Sequence, residues 1–285
     1  MIHIVIPVFN EEESIHDLIS DVIKTSGDFN EKFNIIVVND CSYDNTLNIL
    51  EKFKSFQNFK IINHNLNKGL GDAERTGFEY AAEISKDEDF IVRIEGDNSH
   101  SPKYIKDIIN MLKSGYDVVN TSRFINGGNQ FGLSNKKKVI SYCANIFMKI
   151  ILRIPNVRDF SCGYRGYKAI VMRDALVIFG KNFLQLRGLG FTSTLEIIIK
   201  LKMLGCQFQE VPFDLRYDKK LSTSKMVGSI TSFGYLVMAL LYHWPFGGWR
   251  VGYKEVRKKY KSNRNYILKK YKQPGYEKFL TINDK

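Results

Sequence analysis

The four cysteines of this chain, Cys41, Cys143, Cys162 and Cys206, form no Cys-x-x-C pair and have no neighbouring histidine at zinc-ligand spacing. This argues against a zinc cluster and reads as reduced thiols in a cytosolic protein. The N-terminus has no basic leader and no long apolar run, because a strand-like segment opens at Ile2, so no secretory signal is expected. No internal repeat or low-complexity tract is present either. Acids are in short supply, 30 against 42 Lys and Arg, leaving a net charge of +12 that calls for an anionic partner or surface. Most of it is local: residues 250–285 hold 12 basic residues and 3 acids, a net +9, and the rest of the chain is nearly neutral.

What is present is globular. With 285 residues, 44% hydrophobic and 25% charged, the chain can form one large α/β domain or a domain with an appendage. Short β-branched runs at 2–8, 34–39, 59–63, 89–95 and 117–121 alternate with helical patterns at 12–24, 45–56, 70–85 and 102–113. That rhythm predicts a mostly parallel sheet with right-handed crossovers, whose ligands bind at the carboxyl ends of the strands. Further helical patterns cover 138–152 and 192–204, and a strand is expected at 207–212. The stretch 226–249 carries no formal charge, but Ser229, Thr231, Ser232, Tyr235 and His243 interrupt it, while Ile230, Phe233, Val237, Leu240, Leu241 and Trp244 recur along one side. An interfacial amphipathic helix is the leading reading; a buried core or oligomer helix and a true membrane span are the alternatives.

The most informative local feature is Glu95-Gly96-Asp97-Asn98-Ser99-His100, two acids one residue apart where an apolar strand runs out. Carboxylates facing one small volume repel unless a cation lies between them, and a hard divalent ion with oxygen ligands is the natural occupant. The same run is also ordinary turn chemistry. His100 and His243 read more readily as turn or core histidines than as ligands.

Ile6-Pro7-Val8-Phe9-Asn10-Glu11, Val37-Val38-Asn39-Asp40-Cys41-Ser42-Tyr43-Asp44-Asn45-Thr46, Asn67-Lys68-Gly69 and the acid pair occur in that order, each after a strand. Together with Thr121-Ser122-Arg123-Phe124, Ser161-Cys162-Gly163-Tyr164-Arg165, and Glu210-Val211-Pro212 followed by Arg216 and Ser224-Lys225, this set resembles the inverting family-2 glycosyltransferases of GT-A fold. Within that family it is similar to the polyprenyl-phosphate sugar transferases of the dolichyl-phosphate mannose synthase type. The resemblance covers about residues 2–226 and implies a GT-A catalytic domain, 1–225, followed by an amphipathic, membrane-proximal helix and basic tail, 226–285.

The resemblance also implies roles. Pro7, Glu11, Asp40, Lys68 and Glu95 would bind the donor nucleotide, and Glu95, Asp97 and Ser99 would hold Mg2+ or Mn2+ against its diphosphate. Asp97, Arg123, Arg216 and Lys225 would serve the transfer itself, and Arg123, Ser161, Arg165, Ser224 and Lys225 would bind the acceptor phosphate. Asp40 has a bland alternative as an N-cap or Asx turn before residue 45, and Asp44 reads as that cap. Arg158 and Arg165 could instead pair with Asp159. Lys68 and Arg75, beside a helix start, are further candidates for phosphate contact. The chain departs from the family's Asp-x-Asp in having Glu95, and Asn39 stands where an acid is common.

A hydroxyl acceptor needs a general base, and the family's Gln-x-x-Arg-Trp motif is absent. A phosphate monoester is already anionic at neutral pH and needs cations instead. The expected acceptor is therefore a polyprenyl phosphate, with the basic tail drawn to an anionic membrane surface by about 1 kcal/mol per residue. Peripheral association at the cytoplasmic face is expected, with no nucleic acid among the partners. A saccharide or other hydroxyl acceptor with Asp159 or another acid as base, and a catalytically impaired nucleotide-sugar scaffold, are the alternatives.

Overall fold

The computed structural model describes residues 1–189, 191–222, 228–242 and 252–280. Its first half follows the expected alternation: β1 (Ile2–Val8), α1 (Ile15–Ser26), β2 (Phe33–Asn39), α2 (Thr46–Glu51), β3 (Phe59–Asn63), α3 (Leu70–Ile84), β4 (Phe90–Arg93), α4 (Ile105–Lys113) and β5 (Val118–Ser122). The second half contains β6 (Asn129–Phe131), α5 (Asn135–Leu152), β7 (Arg165–Lys168), α6 (Ala169–Phe179), α7 (Thr192–Met203), β8 (Phe208–Pro212), β9 (Asp214–Arg216), α8 (Gly228–Tyr242), α9 (Lys254–Lys259) and α10 (Arg264–Tyr271).

Seven strands form one sheet in the order β3-β2-β1-β4-β7-β5-β8. All neighbours pair in parallel except β7, which is antiparallel to both β4 and β5. Alternation along the strands feeds two cores. Val5, Ile36, Ile91, Val118 and Tyr167 pack on the α3, α6 and α7 side, whereas Ile4, Ile35, Val92 and Val119 pack on the α1 and α4 side. The chain passes from β1 outward to β2 and β3 and then returns to β4 on the other side of β1. The carboxyl ends of β1 and β4 thus flank a topological switch point, the place where sheets of this kind bind their ligands.

The strand β7 was not anticipated, and its reversal matters. Because it runs against its neighbours, the loop that precedes it, residues 158–164, lies at the same sheet edge as the loops that follow β4 and β5. The helix expected at 45–56 stops at Glu51 and continues as turns. A small parallel ladder of β6 with β9 was also not anticipated.

The expected separation at 225/226 does not coincide with a break in packing. Val256, Tyr260, Ile267, Leu268 and Phe279 are buried in the same core as α6 and α7. Tyr260 Oη donates to Asp174 (2.5 Å), as does Arg264 Nε (2.6 Å), while Lys261 pairs with Asp117 (2.5 Å) and Lys278 with Glu83 (2.7 Å). These basic residues of the tail are neutralised by acids of the main domain. Within 226–249 the helix covers Gly228–Tyr242, and residues 243–249, including His243, Trp244 and the following Pro and Trp, lie outside the described residues. Among the described residues no helix is long and apolar enough to cross a membrane. Met238, Ala239 and Tyr242 of α8 are buried, and the helix packs against α7 and α5.

Candidate active site

The acid pair sits on a loop forced close to the end of β1. A Cβ at Gly96 would stand 2.6 Å from Val8 Cγ1 and 2.9 Å from the Pro7 carbonyl oxygen, so only glycine lets this loop cross the strand end. Ser14 Oγ ties the crossing together, donating to the Gly96 carbonyl (3.3 Å) and to Glu11 Oε2 (3.1 Å). Asn98 turns the loop with a left-handed φ of 57°, a conformation asparagine tolerates. Pro7, Glu11, Glu95, Asp97 and Ser99 therefore meet at the switch point.

Asp97 is nearly buried. Its Oδ1 accepts from Ser99 N (3.1 Å) and Ser99 Oγ (2.5 Å), and its Oδ2 from Lys220 Nζ (2.6 Å). Burial alone would raise its pKa, but the Lys220 ammonium and the Ser99 hydroxyl outweigh that and hold it at about 2. Glu95 is held differently: Arg93 Nη1 donates to its Oε1 (2.5 Å), and the same buried guanidinium lies 2.8 Å from the carboxylate of Glu74. Burial pushes the Glu74 carboxyl up despite that partner. His100 is a core residue, its ring 5.4 Å from that of Tyr164 and 5.2 Å from that of Phe213. Burial lowers its pKa to about 4, so it is neutral, and its Nδ1 accepts from the Glu95 backbone N–H (3.4 Å).

Asp40 does not cap a helix. Its Oδ1 accepts from His64 Nδ1 (2.6 Å) and Lys68 N (3.0 Å), and its Oδ2 from Gly69 N (2.7 Å). Both oxygens are engaged in clamping the loop after β3, which corrects the expectation of a carboxylate open to a nucleoside. The Lys68 side chain itself is exposed. Asp44 forms an Asx turn, accepting from Thr46 N (2.9 Å), one residue before Asn45, the N-cap of α2. A surface groove beside this loop is lined by Phe9, Asn10, Glu12, Tyr43, Asp44 and Ser222. Arg75 is not at the site, since it pairs with Glu79 (2.8 Å) and donates to Tyr276 Oη in the C-terminal segment.

A second cluster forms where the loop before β7 meets the end of β5. Arg123 forks onto Asp159 through Nε (2.6 Å) and Nη2 (2.7 Å), and Nη2 also reaches Ser161 Oγ (2.6 Å). Asp159 is completely buried. Burial would raise its pKa, yet Arg123 and the backbone N–H groups it accepts from keep it below the usual carboxylate range. Asp159 pairs with Arg123 and not with the two arginines expected. Arg165 is corrected further: it is fully buried in β7, donating to the backbone carbonyls of Thr194 and Phe160, so it braces the loop from within. Arg216 lies at the rim with its side chain 42% exposed, paired with Asp218 (2.6 Å), while its backbone N–H donates to the Ser99 carbonyl (3.0 Å). Ser224 and Lys225 lie outside the described residues.

The residues present fit a hard divalent ion. Asp97 is an ionised oxygen donor, Glu95 offers a second carboxylate, and Ser99 adds a hydroxyl. Among the described residues no three His, Cys, Asp or Glu side chains converge into a complete cage. An ion held here by Asp97 and Glu95 would keep positions open for water and phosphate oxygens, the mode usual for Mg2+ sites. Lys220, Arg93 and Glu74 were missed by sequence reasoning. A lone arginine inside the apolar strand before the acid pair was the available signal for Arg93; nothing local marked Lys220 or Glu74.

The mostly parallel seven-stranded sheet flanked by helices matches the GT-A glycosyltransferase fold. Residues 3–176 match the model of glycosyl transferase family 2, and the chain belongs to that family. It is 30% identical over 235 residues to a dolichol-phosphate mannosyltransferase of Pyrococcus furiosus, covering 82% of this chain and 61% of that protein. It is 26% identical over 230 residues to an undecaprenyl-phosphate mannosyltransferase of Micrococcus luteus, covering 79% of this chain and 87% of that one. Among solved structures, glucosyl-3-phosphoglycerate synthase from Mycobacterium tuberculosis, in complex with Mn2+, UDP and glucosyl-3-phosphoglycerate, superposes with a TM-score of 0.58 at 14% identity. That match covers 85% of this chain and 78% of the synthase. S. aureus TarS in complex with UDP-GlcNAc gives a TM-score of 0.52 at 14% identity, covering 99% of this chain and 77% of the other.

Proposed function

We propose that this protein transfers a single sugar, with inversion, from a nucleotide-diphosphate sugar to a polyprenyl phosphate at a membrane surface. The observation that carries the choice of acceptor is the state of Asp159. It is the acid nearest to Arg123 and Ser161, yet it is buried, forked by Arg123 and held ionised at low pKa. Such a group is a poor general base, which disfavours a hydroxyl acceptor. A phosphate needs only cations; Arg123 with Ser161, Arg216 at the rim, and Ser224 with Lys225 are the groups we assign to it, Arg123 and Arg216 exchanging their present partners Asp159 and Asp218 for the acceptor. On this reading Pro7 and Glu11 line the donor pocket, Asp40 shapes it by holding the Lys68 loop, and Asp97 and Glu95 hold Mg2+ or Mn2+. The ion, when bound, neutralises the departing diphosphate.

The surface supports a lipid-facing orientation. Val139, Ile140 and Ile150 of α5 are 62%, 56% and 64% exposed, and Phe233 and Leu236 of the adjoining α8 are 60% and 51% exposed. Lys136, Lys137 and Lys138 stand at the start of α5. An apolar patch beside basic residues suits an anionic bilayer. Burying one aromatic side chain contributes about 1.5–3 kcal/mol, so Phe233→Glu is expected to weaken sedimentation with phosphatidylglycerol vesicles by about ten-fold or more while Tm is unchanged. Equal vesicle binding by the variant would remove α8 from the contact.

The deciding assay offers radiolabelled nucleotide sugars, Mn2+ and a short-chain polyprenyl phosphate with no saccharide present. Turnover that EDTA abolishes and added Mn2+ restores is expected. Transfer only to a saccharide would overturn the acceptor assignment, and donor binding without any turnover would point to a scaffold.

A further inference from the structure

Both carboxylates of the acid pair already carry a protein counter-ion, but the two counter-ions are built differently. Arg93 is 1% exposed, and it is wedged between Glu74 and Glu95. A Cβ at Gly163 would collide with its Nη1, which shows how closely the loop before β7 covers it. It has nowhere to go. Lys220 instead caps a surface 3-10 turn, Tyr217–Lys219, none of whose residues is buried. Its ammonium reaches inward to Asp97 (2.6 Å) and lies within electrostatic range of Glu11 and Glu95. Four rotatable bonds let that ammonium swing out with no movement of the backbone.

We infer that Lys220 is a tethered counter-ion that occupies the Asp97 carboxylate until a metal-bound diphosphate displaces it. This deepens the proposed function, resting on the reading of Asp97 as a metal ligand. A divalent ion arriving alone must break the Lys220–Asp97 pair and sets the ammonium beside a new positive charge. An ion arriving with a nucleoside diphosphate brings anionic oxygens to which the ammonium can turn. Lys220 thereby makes metal binding conditional on the nucleotide, a coupling that must be reciprocal between the two ligands. Arg93 gives Glu95 no such freedom, so Asp97 is the carboxylate that opens. Lys220 acts here as a positioning residue.

The test measures free Mn2+ by electron paramagnetic resonance during titration of the full chain, first with Mn2+ alone and then with Mn2+ plus UDP or, separately, GDP. Lys220→Met is expected to bind Mn2+ alone about ten-fold or more tightly than the wild type, since one repelling charge beside the ion is gone. Lys220→Gln should behave likewise, guarding against a folding defect in either variant, and Lys220→Arg should restore wild-type weakness. With nucleoside diphosphate present, the advantage of Lys220→Met should shrink or reverse. Unchanged or weaker Mn2+ binding by both neutral variants overturns the inference. Asp97→Asn separates the two levels: Mn2+ binding lost in Asp97→Asn but unaltered in Lys220→Met defeats only the role of Lys220, whereas binding indifferent to Asp97 defeats the metal assignment as well.

Discussion

Asp97→Asn is expected to lower sugar transfer by about 10²–10³-fold or more, the scale found when one preorganised electrostatic contact to developing charge is removed. The substitution keeps the shape of the side chain and its neighbours Ser99 and Lys220, but abolishes the negative charge held at pKa about 2. At neutral pH the native carboxylate is fully ionised, so no change of pH between 5 and 9 should rescue the variant. Glu95→Gln should cost less, because Glu95 already shares its charge with Arg93 (2.5 Å). Initial rates with labelled donor at saturating acceptor decide it. A variant within three-fold of wild type would rule out Asp97 as a ligand of the ion that neutralises the departing diphosphate.

Arg93→Met is the substitution expected to affect stability most. It leaves Glu74, 1% exposed, and Glu95 facing one another without the guanidinium that separates them. Breaking a buried ion pair by removing one partner costs about 3–5 kcal/mol. In a chain of this size that is a fall of roughly 6–15 °C in Tm. The defect should be pH-dependent. Glu74 already has a raised pKa through burial, and without Arg93 it rises further. A carboxyl whose folded pKa lies above its unfolded value stabilises the fold while protonated and loses that contribution as pH rises through the folded pKa. The variant should therefore be closer to wild type at pH 5 than at pH 8 by calorimetry. Glu74→Gln added to Arg93→Met should recover part of the loss, because it removes the orphaned charge. A deficit under about 1 kcal/mol at both pH values would mean that the triad is not the brace described.

The strands of the first half, and the polar residues at their ends, were legible because each is a local pattern: an apolar run, a break, an acid or amide. Glu95, Asp97, Ser99, Glu11 and Pro7 meet where that reasoning placed them, since topology alone carries β1 and β4 side by side. What escaped it is long-range. Lys220 reaches Asp97 across 123 positions, and Arg75 finds Tyr276 across 201. No spacing rule anticipates such pairs. The four residues of β7, Arg-Gly-Tyr-Lys, show no apolar alternation, although three of them are buried between β4 and β5. The same blindness assigned Arg165 to a phosphate, because a motif reports which residue is present and not which way the strand faces. The tail was read as free charge, and packing of Tyr260 and Ile267 against the main domain was hidden by the lysines around them.

The reversed strand has a consequence for how the chain is made. Strands β1 to β4 hydrogen-bond among themselves, so that half of the sheet can assemble as soon as residue 93 is synthesised. By contrast, among the described residues β5 pairs only with β7 and β8, both of which come later in the chain. A nascent chain that has just completed β5 therefore carries a ready half-sheet and one strand whose partners are not yet made, through a further 40 or so residues of translation. At about 5–20 residues per second that wait lasts seconds. The loop that brings Arg123 and Asp159 together is thus placed only when β7 slides into the gap between two strands already made, β4 and β5.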